Sequence, residues 1–272
     1  MNLSDWTFFM DGFEPLPCRA PCTMYSVLLE NGKIPDPFYG VNEQTLRHLG
    51  ERDCAFETEF TVDARDLEKE YQELEFSGLD TVCRILLNGS PLGRTKNMHR
   101  TYVFPVKDRL VPGKNTLRLE FSSPMAYFRE AQRRHYLYMN DGDTVPGTAH
   151  LRKAMFESGW DWAPTLPDMG ITRPVELRSF DGGRLERVLV SQKHWGGEVD
   201  VSVRADVLCG PEYEVYVNLD GQRVRATAGE AVVHIEHPRL WWVRGYGEQP
   251  LYPLETELWV GGTCVDRKTM RI

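Results

Sequence analysis

Residues 71–93 read YQELEFSGLDTVCRILLNGSPLG and contain a pattern that recurs through most of the chain. YQELEF alternates polar and apolar side chains, and VCRILL is a second short apolar run that ends in a turn signal. Alternation of this kind has the two-residue period of a β-strand that buries one face. Asn88 and Gly89 tolerate the positive φ angles of a tight hairpin turn, so the stretch predicts strands joined by a hairpin.

Outward from this hairpin, further short runs of alternating apolar residues predict an all-β chain. They occupy residues 55–63, 101–106, 115–123 and 173–180. After the glycine-rich break DGG, a second series occupies residues 187–192, 198–207, 213–229, 231–237 and 253–262. A new set of strands after such a break marks a domain boundary, so we predict domains at 1–182 and 183–272. The second domain has the size of an immunoglobulin-like β-sandwich.

Two segments have helical rather than strand periodicity. CTMYSVLLENGK, residues 22–33, places Thr23 as an N-cap before apolar residues at helical spacing, and Asn31 and Gly32 predict the end of this helix. A second helix is predicted from PMAYFREAQRRHYLYM, residues 124–139. Its apolar face is predicted to hold Tyr127, Ala131, His135 and Tyr138.

Composition and charge limit the class of protein. A chain of 272 residues, 41% of them hydrophobic, can form a sizeable core in about two domains. A net charge of −8 argues against nucleic acid as a partner, because affinity for phosphates requires many cations. The N-terminus lacks a basic start and no segment has 18 consecutive apolar residues, so we expect no secretory signal and no membrane partner. Six scattered cysteines favour a reducing, cytoplasmic location.

The sequence lacks motifs for cofactor and metal chemistry. No G-x-S-x-G, P-loop or G-x-G-x-x-G occurs, and Cys18 and Cys22 lack the second ligand pair that a structural zinc site needs. We therefore predict no cofactor and no metal site. Asn42 and Glu43 have the form of a catalytic pair in barrel hydrolases, but Glu43 begins a helical pattern, where a carboxylate stabilises the helix dipole. We therefore predict that Glu43 is not catalytic.

Tryptophan is the residue type that points to a ligand. The chain has seven, and four of them fall in SGWDWAP at residues 158–164 and RLWWVRG at residues 239–245. Carbohydrate sites combine flat aromatic surface for the sugar ring with carboxylates or amides for its hydroxyl groups. If GWDWAP is extended, Trp160 and Trp162 share one side and Asp161 projects from the other. The same alternation predicts that Trp241 and Trp242 point apart, one into the second core and one toward another domain.

Five strings give the sequence a specific resemblance to a known family. They are LLENGKIPDPFYGVNE, FSGLDTVCRILLNG, NMHRTYVFPV, LRKAMFESGWDWAPTLPDMGITRPVEL and LWWVRGYGEQPLYPLETEL. In this order they resemble the N-terminal, non-catalytic region of the β-mannosidases of glycoside hydrolase family 2, over nearly the whole chain. The resemblance implies a jelly-roll, galactose-binding-like β-sandwich followed by an immunoglobulin-like β-sandwich.

The resemblance also implies where the chemistry lies. In this family the two catalytic glutamates belong to a (β/α)₈ barrel that follows a segment like RKTMRI, residues 267–272. The barrel is therefore expected downstream, and this chain alone is expected to be inactive. Asp161, together with Trp160 and Trp162, is implied to contact the terminal sugar, and Asn97 is implied to lie near the same site. The implied partners are a β-mannoside substrate and the protein's own catalytic barrel.

Two other interpretations stay open. The domains could act as an independent carbohydrate-binding module. Alternatively, they could be structural domains that position the barrel and mediate self-association, for instance as a homodimer, in a hydrolase that acts on another β-glycoside. Titration of the chain with mannose and mannobiose separates the first interpretation from the others.

Overall fold

The computed structural model of the protein describes residues 1–138, 145–159 and 163–272. The chain divides into two compact units, Met1–Ser179 and Phe180–Ile272. The division falls just before the glycine-rich break DGG. Each unit has its own apolar cores.

The first unit consists mainly of antiparallel strands in three sheets. The strands are β1 (Asp5–Met10), β2 (Leu16–Arg19), β3 (Cys22–Thr23), β4 (Cys54–Val62), β5 (Tyr71–Phe76), β6 (Leu79–Asp80), β7 (Val82–Leu87), β8 (Ser90–Lys96), β9 (Tyr102–Pro105), β10 (Gly113–Phe121), β11 (Gly170–Ile171) and β12 (Val175–Phe180). The largest sheet has the order β2-β1-β4-β10-β7-β8, and the smaller sheets have the orders β3-β11-β6 and β12-β5-β9. All three sheets contribute residues to one apolar core, so they stack as a sandwich.

Strand β4 illustrates how the sequence pattern forms this sandwich. Phe56 is fully buried, and its ring centroid lies 5.1 Å from that of Phe8 and 5.7 Å from that of Phe121 on the neighbouring strands. The next side chain, Glu57, points to the opposite face and accepts a hydrogen bond of 3.1 Å from the Arg118 guanidinium. The two-residue period of the strand therefore separates an aromatic core from a charged outer face.

Two local predictions are confirmed. β7 and β8 pair as a hairpin, and the connecting Asn88 and Gly89 have φ angles of 51° and 76°. The predicted first helix is present with Thr23 as its N-cap, and the Thr23 and Ser26 side chains form a capping box. Four helices occur among the described residues: α1 (Met24–Glu30), α2 (Asn42–Leu46), α3 (Ala64–Glu68) and α4 (Pro124–Arg134), with short 3₁₀ turns at Arg47–Glu51, Lys107–Arg109, Thr148–His150 and Met155–Glu157.

The predicted buried face of the second helix is wrong. Helix α4 begins at Pro124, where the Ser123 hydroxyl accepts a hydrogen bond from the third following N–H, and it ends at Arg134. His135 and Tyr138 therefore lie beyond the helix and do not share its face. The residues that the helix buries are Pro124 and Phe128, the latter at 1% exposure. The helix predicted from the sequence is about one turn too long, because no glycine or proline marks its end.

The second unit is a two-sheet sandwich. Its strands are β13 (Gly183–Trp195), β14 (Glu198–Cys209), β15 (Glu214–Leu219), β16 (Gln222–Arg225), β17 (Glu230–Glu236), β18 (Pro253–Val260) and β19 (Thr263–Arg271). The sheets have the orders β13-β14-β17 and β16-β15-β18-β19. Alternate residues of β14, such as Val199, Val201 and Val203, pack against Val217 and Leu219 of the facing sheet.

Replacing the aromatic centre of the first sandwich is expected to destabilise it. Phe56→Ala removes a fully buried ring and leaves a cavity, so the free energy of unfolding of the 272-residue chain should fall by about 3–5 kcal/mol in urea denaturation. Thr61→Ala, at an exposed position of the same strand, is the control and should change it by about 0.5 kcal/mol or less. Equal losses in the two variants would contradict this account of the core.

Candidate functional site

The structure describes one of the four predicted site residues. Trp160, Asp161 and Trp162 lie outside the described residues, so their role stays a prediction. The residues on either side of them are described. Ser158 and Thr165 form an antiparallel bridge, and the Leu166 N–H donates to the Glu157 carbonyl oxygen at 3.0 Å. The two ends of the segment that contains the predicted sugar-binding residues are therefore held together by backbone hydrogen bonds.

Asn97 lies beside the chain that leads into this segment. It forms a parallel bridge with Arg152, and the Met98 N–H donates to the Arg152 carbonyl oxygen at 3.0 Å. The Asn97 Oδ1 accepts a hydrogen bond of 2.9 Å from the His99 N–H, which fixes the side chain in its own turn. Its amide NH₂ has no hydrogen-bond partner among the described residues, so Asn97 can offer two donors to a ligand.

A buried ion cluster anchors the same region, and the sequence analysis did not identify it. The Lys153 side chain is 2% exposed, and its Nζ donates to a carboxylate oxygen of Asp80 and to one of Glu157. A third hydrogen bond, of 2.8 Å, goes to the backbone carbonyl oxygen of Asp168. An ammonium has three donors, and here each of them has an acceptor. The cluster is therefore an anchor between β6, the 3₁₀ turn Met155–Glu157 and the approach to β11.

Part of this cluster has a sequence signal. Lys153 and Glu157 are four residues apart in LRKAMFE, a spacing that brings opposite charges together on a helical turn. Asp80 lies 73 residues earlier in the chain, and only the fold brings it to Lys153. The sequence could therefore have predicted one ion pair but not the buried three-residue cluster.

Asp168 extends the anchor toward helix α1. Its Oδ1 accepts hydrogen bonds from the backbone N–H groups of Tyr25, at 3.2 Å, and of Met169, at 2.8 Å. Glu157 precedes the stretch that holds the predicted sugar-binding residues and Asp168 follows it. Both sides of that stretch are thus joined through Lys153 to the core of the first unit.

Burial controls the ionisation of the cluster. It raises the pKa of the Glu157 carboxyl to about 8, although the Lys153 ammonium opposes the shift. It also raises the pKa of Asp168 to about 6, against the hydrogen bonds that this carboxylate accepts. Burial acts to lower the pKa of Lys153, but the attraction of Asp80 and Glu157 outweighs it and the pKa is raised. Below about pH 8 the cluster therefore holds a charged lysine and a protonated Glu157.

The prediction for Trp241 and Trp242 is wrong. Both side chains are exposed, at 56% and 50%, so neither enters the core of the second unit. They belong to the connection between β17 and β18, which is not an extended strand, and strand alternation does not apply there.

Neither a metal site nor a membrane-spanning helix is found where the structure describes the chain. Within residues 1–138, 145–159 and 163–272, no three His, Cys, Asp or Glu side chains are grouped so that they could hold a metal ion. No helix of these residues has the length and apolar character needed to cross a membrane.

Comparison with known families assigns both parts of the chain. Residues 6–173 match the family described as glycosyl hydrolase 2 galactose-binding domain-like, and residues 187–272 match glycosyl hydrolases family 2. The chain belongs to glycoside hydrolase family 2. The predicted fold class is confirmed: a galactose-binding-like β-sandwich is followed by an immunoglobulin-like β-sandwich of this family.

Three proteins that this chain resembles along most or all of its length are β-mannosidases. β-Mannosidase B of Thermothelomyces thermophilus is 32% identical over 271 residues, which cover 93% of this chain and 31% of that protein. β-Mannosidase of Rattus norvegicus is 27% identical, with coverage of 87% and 30%. The solved β-D-mannosidase of Dictyoglomus thermophilum has a TM-score of 0.87 at 31% identity, covering all of this chain and 36% of that one. The family 2 chain thus spans about a third of the length of the curated relatives it matches.

The raised pKa of Glu157 makes the stability of this family 2 chain pH-dependent. The Glu157 carboxyl keeps its proton up to about pH 8 in the folded chain but only up to about pH 4.5 in the unfolded chain. The contribution of Glu157 to stability is therefore full below pH 4.5 and is lost as the pH rises to 8. Glu157→Gln keeps an acceptor for Lys153 without the ionisation. Between pH 5 and 8, the free energy of unfolding should therefore fall less in this variant than in the parent, by about 1 kcal/mol or more.

Urea denaturation at the two pH values measures this difference. Glu68→Gln, at an exposed position of the same unit, is the control and should follow the parent at both pH values. A Glu157→Gln variant that loses as much stability as the parent between pH 5 and 8 would show that Glu157 is ionised throughout this range.

Proposed function

We propose that the chain forms the N-terminal accessory domains of a retaining β-mannosidase that removes terminal β-D-mannose from non-reducing ends. The observation that carries this proposal is the match to β-mannosidases along 93% and 87% of the chain, through both of its units in order. We assign residues 1–182 to the galactose-binding-like domain and residues 183–272 to the immunoglobulin-like domain. In this role the two domains position the catalytic domain and help to form its sugar subsite.

The catalytic carboxyl groups of such an enzyme are proposed to lie outside this chain. Retaining hydrolysis uses two carboxyl groups about 5 Å apart, one of which protonates the leaving oxygen while the other attacks the anomeric carbon. The buried carboxyl groups described above cannot supply this pair. Asp80 and Glu157 are held by Lys153, and Asp168 accepts backbone hydrogen bonds. We therefore place both catalytic glutamates in a downstream (β/α)₈ barrel.

The contribution to the sugar subsite is assigned to Asp161, with Trp160, Trp162 and Asn97. A carboxylate at Asp161 would accept hydrogen bonds from hydroxyl groups of the terminal mannose, and indoles provide apolar surface for the sugar ring. Two features support this assignment. The segment is anchored on both sides by the Lys153 cluster, and Asn97 carries amide donors beside the chain that leads to it. No metal or cofactor is required for this chemistry.

A cytoplasmic location is also proposed. All six cysteines are free thiols, as expected of a protein that folds in a reducing compartment.

The 272-residue chain alone is expected to fold but not to hydrolyse a β-mannoside. The acid, base and nucleophile groups that supply the rate enhancement would be missing. Release of nitrophenol from a nitrophenyl β-mannoside is the measurement, with repeated purification to exclude contaminants. Turnover by the chain would refute the proposal. Calorimetric titration with mannose and mannobiose is the second measurement, and binding by the chain in isolation would favour a carbohydrate-binding module.

Asp161→Ala in the full-length protein is expected to lower kcat/KM for a β-mannoside about tenfold or more. A hydrogen bond to a charged acceptor contributes about 1.5–3 kcal/mol, and 1.4 kcal/mol corresponds to a factor of ten. The melting temperature should not change. Asp108→Ala, at an exposed position of the first unit, is the matched control and should retain parental kinetics. Unchanged kinetics in Asp161→Ala would remove the residue from the subsite, and a lowered melting temperature would give it a structural role.

A further inference from the structure

The connection between β17 and β18 exposes an apolar surface. We name residues 240–251 the aromatic loop. Its exposed apolar side chains are Leu240, Trp241, Trp242, Val243, Tyr246 and Leu251. The two indoles are 56% and 50% exposed and Tyr246 is 80% exposed. Large apolar side chains that cluster at a surface are a feature of interaction sites, because most such groups are covered.

The aromatic loop is held in one conformation by its own hydrogen bonds. The Trp242 N–H donates to the Glu248 carbonyl oxygen at 2.9 Å, and the Tyr246 N–H donates to the Val243 carbonyl oxygen at 3.0 Å. The Gln249 side-chain amide donates to the carbonyl oxygens of Trp242, at 2.8 Å, and of Gly247, at 2.7 Å. A surface that is ordered before it meets a partner loses little conformational entropy on binding.

Gly247 packs against the indole of Trp242. A Cβ atom at this position would lie 2.7 Å from Cδ1 of the Trp242 ring, well inside contact distance. The backbone of residue 247 therefore packs directly against the indole and sets its orientation. A side chain at position 247 would displace Trp242 while both indoles remain present.

The base of the aromatic loop is joined to the last residue of the chain. The Tyr252 N–H donates to the Ile272 carbonyl oxygen at 2.8 Å, and the Ile272 N–H donates back at 3.0 Å. The Tyr252 hydroxyl accepts a hydrogen bond of 2.8 Å from the Arg239 N–H at the other end of the loop. Any polypeptide that continues from Ile272 therefore starts beside the aromatic loop.

We propose that the aromatic loop is the docking surface for the domain that follows residue 272, which rests on the function proposed above. Three arguments favour this occupant. The loop has two charged residues, Arg244 and Glu248, so its exposed chemistry is that of a permanent, apolar interface. Tryptophan and tyrosine are the residues that contribute most at such interfaces. A domain tethered at Ile272 also has a high effective concentration at the loop, so a small surface is sufficient.

The test uses the full-length protein and follows hydrogen exchange of residues 240–251 by mass spectrometry. We expect exchange at least about tenfold slower in the full-length protein than in the 272-residue chain, because docking covers the loop. Trp241→Ala combined with Trp242→Ala should abolish this protection. Trp195→Ala is the matched control, since it removes an indole that is 40% exposed on β13 of the same unit, and it should retain the protection.

A second variant separates the docking surface from a general loss of apolar area. Gly247→Ala keeps both indoles but displaces Trp242, and it should also reduce the protection in the full-length protein. Melting of the 272-residue chain is the folding control for the double variant. It should be unchanged, because both side chains are exposed in the second unit.

Several outcomes would overturn the proposal. Equal exchange of the loop in the full-length protein and the 272-residue chain would do so, as would protection that survives the double substitution. Protection that appears in the 272-residue chain at high concentration would assign the loop to a second copy, and protection induced by mannobiose would assign it to sugar. Hydrolysis of a β-mannoside is recorded separately. An inactive full-length protein with a protected loop would refute the proposed function and leave the docking surface standing.

Discussion

The long strands of the chain hide one face from water, and this constraint determines which of their residues remain free for other tasks. In β4 the inward positions form the contact between Phe56, Phe8 and Phe121, while the outward positions carry charges such as Glu57. β14 does the same in the second unit with its inward valines. Side chains that bind a ligand or a partner must therefore come from outer faces and from the connections between strands.

The Lys153 cluster is the main exception to this separation in the first unit. A lysine and two carboxyl groups are buried there, which is tolerated only because each donor of the lysine has an acceptor and Glu157 takes up a proton. Such a cluster contributes little net stability compared with an apolar core. Its effect is geometric, because it joins Asp80 of β6 to the two sides of the segment between Glu157 and Asp168.

The sequence predicted the parts of the structure that depend on neighbours along the chain. The alternation of apolar residues predicted the all-β class, Asn88 and Gly89 predicted the hairpin, and Thr23 predicted the start of α1. Prediction from the sequence failed where a helix ends without a glycine or proline, as at Arg134. It also failed where strand alternation was applied to the connection between two strands, as at Trp241. Asp80 could not be predicted as a partner of Lys153, because that contact joins residues 73 positions apart and exists only in the folded sandwich.

Two features of the chain contradict the ordinary partition of apolar residues inside and charges outside. The Lys153 cluster places charges in the interior, and the aromatic loop places tryptophans at the surface. The apolar core clusters of both units consist of other residues. Buried ion clusters and exposed apolar side chains contribute little to net stability. The proposals above assign each feature a task in a longer protein. The Lys153 cluster holds the stretch around Asp161, to which the family resemblance gives a sugar contact, and the aromatic loop adjoins Ile272, from which the proposed catalytic domain continues. Departures from the hydrophobic pattern, rather than the pattern itself, thus support both proposals.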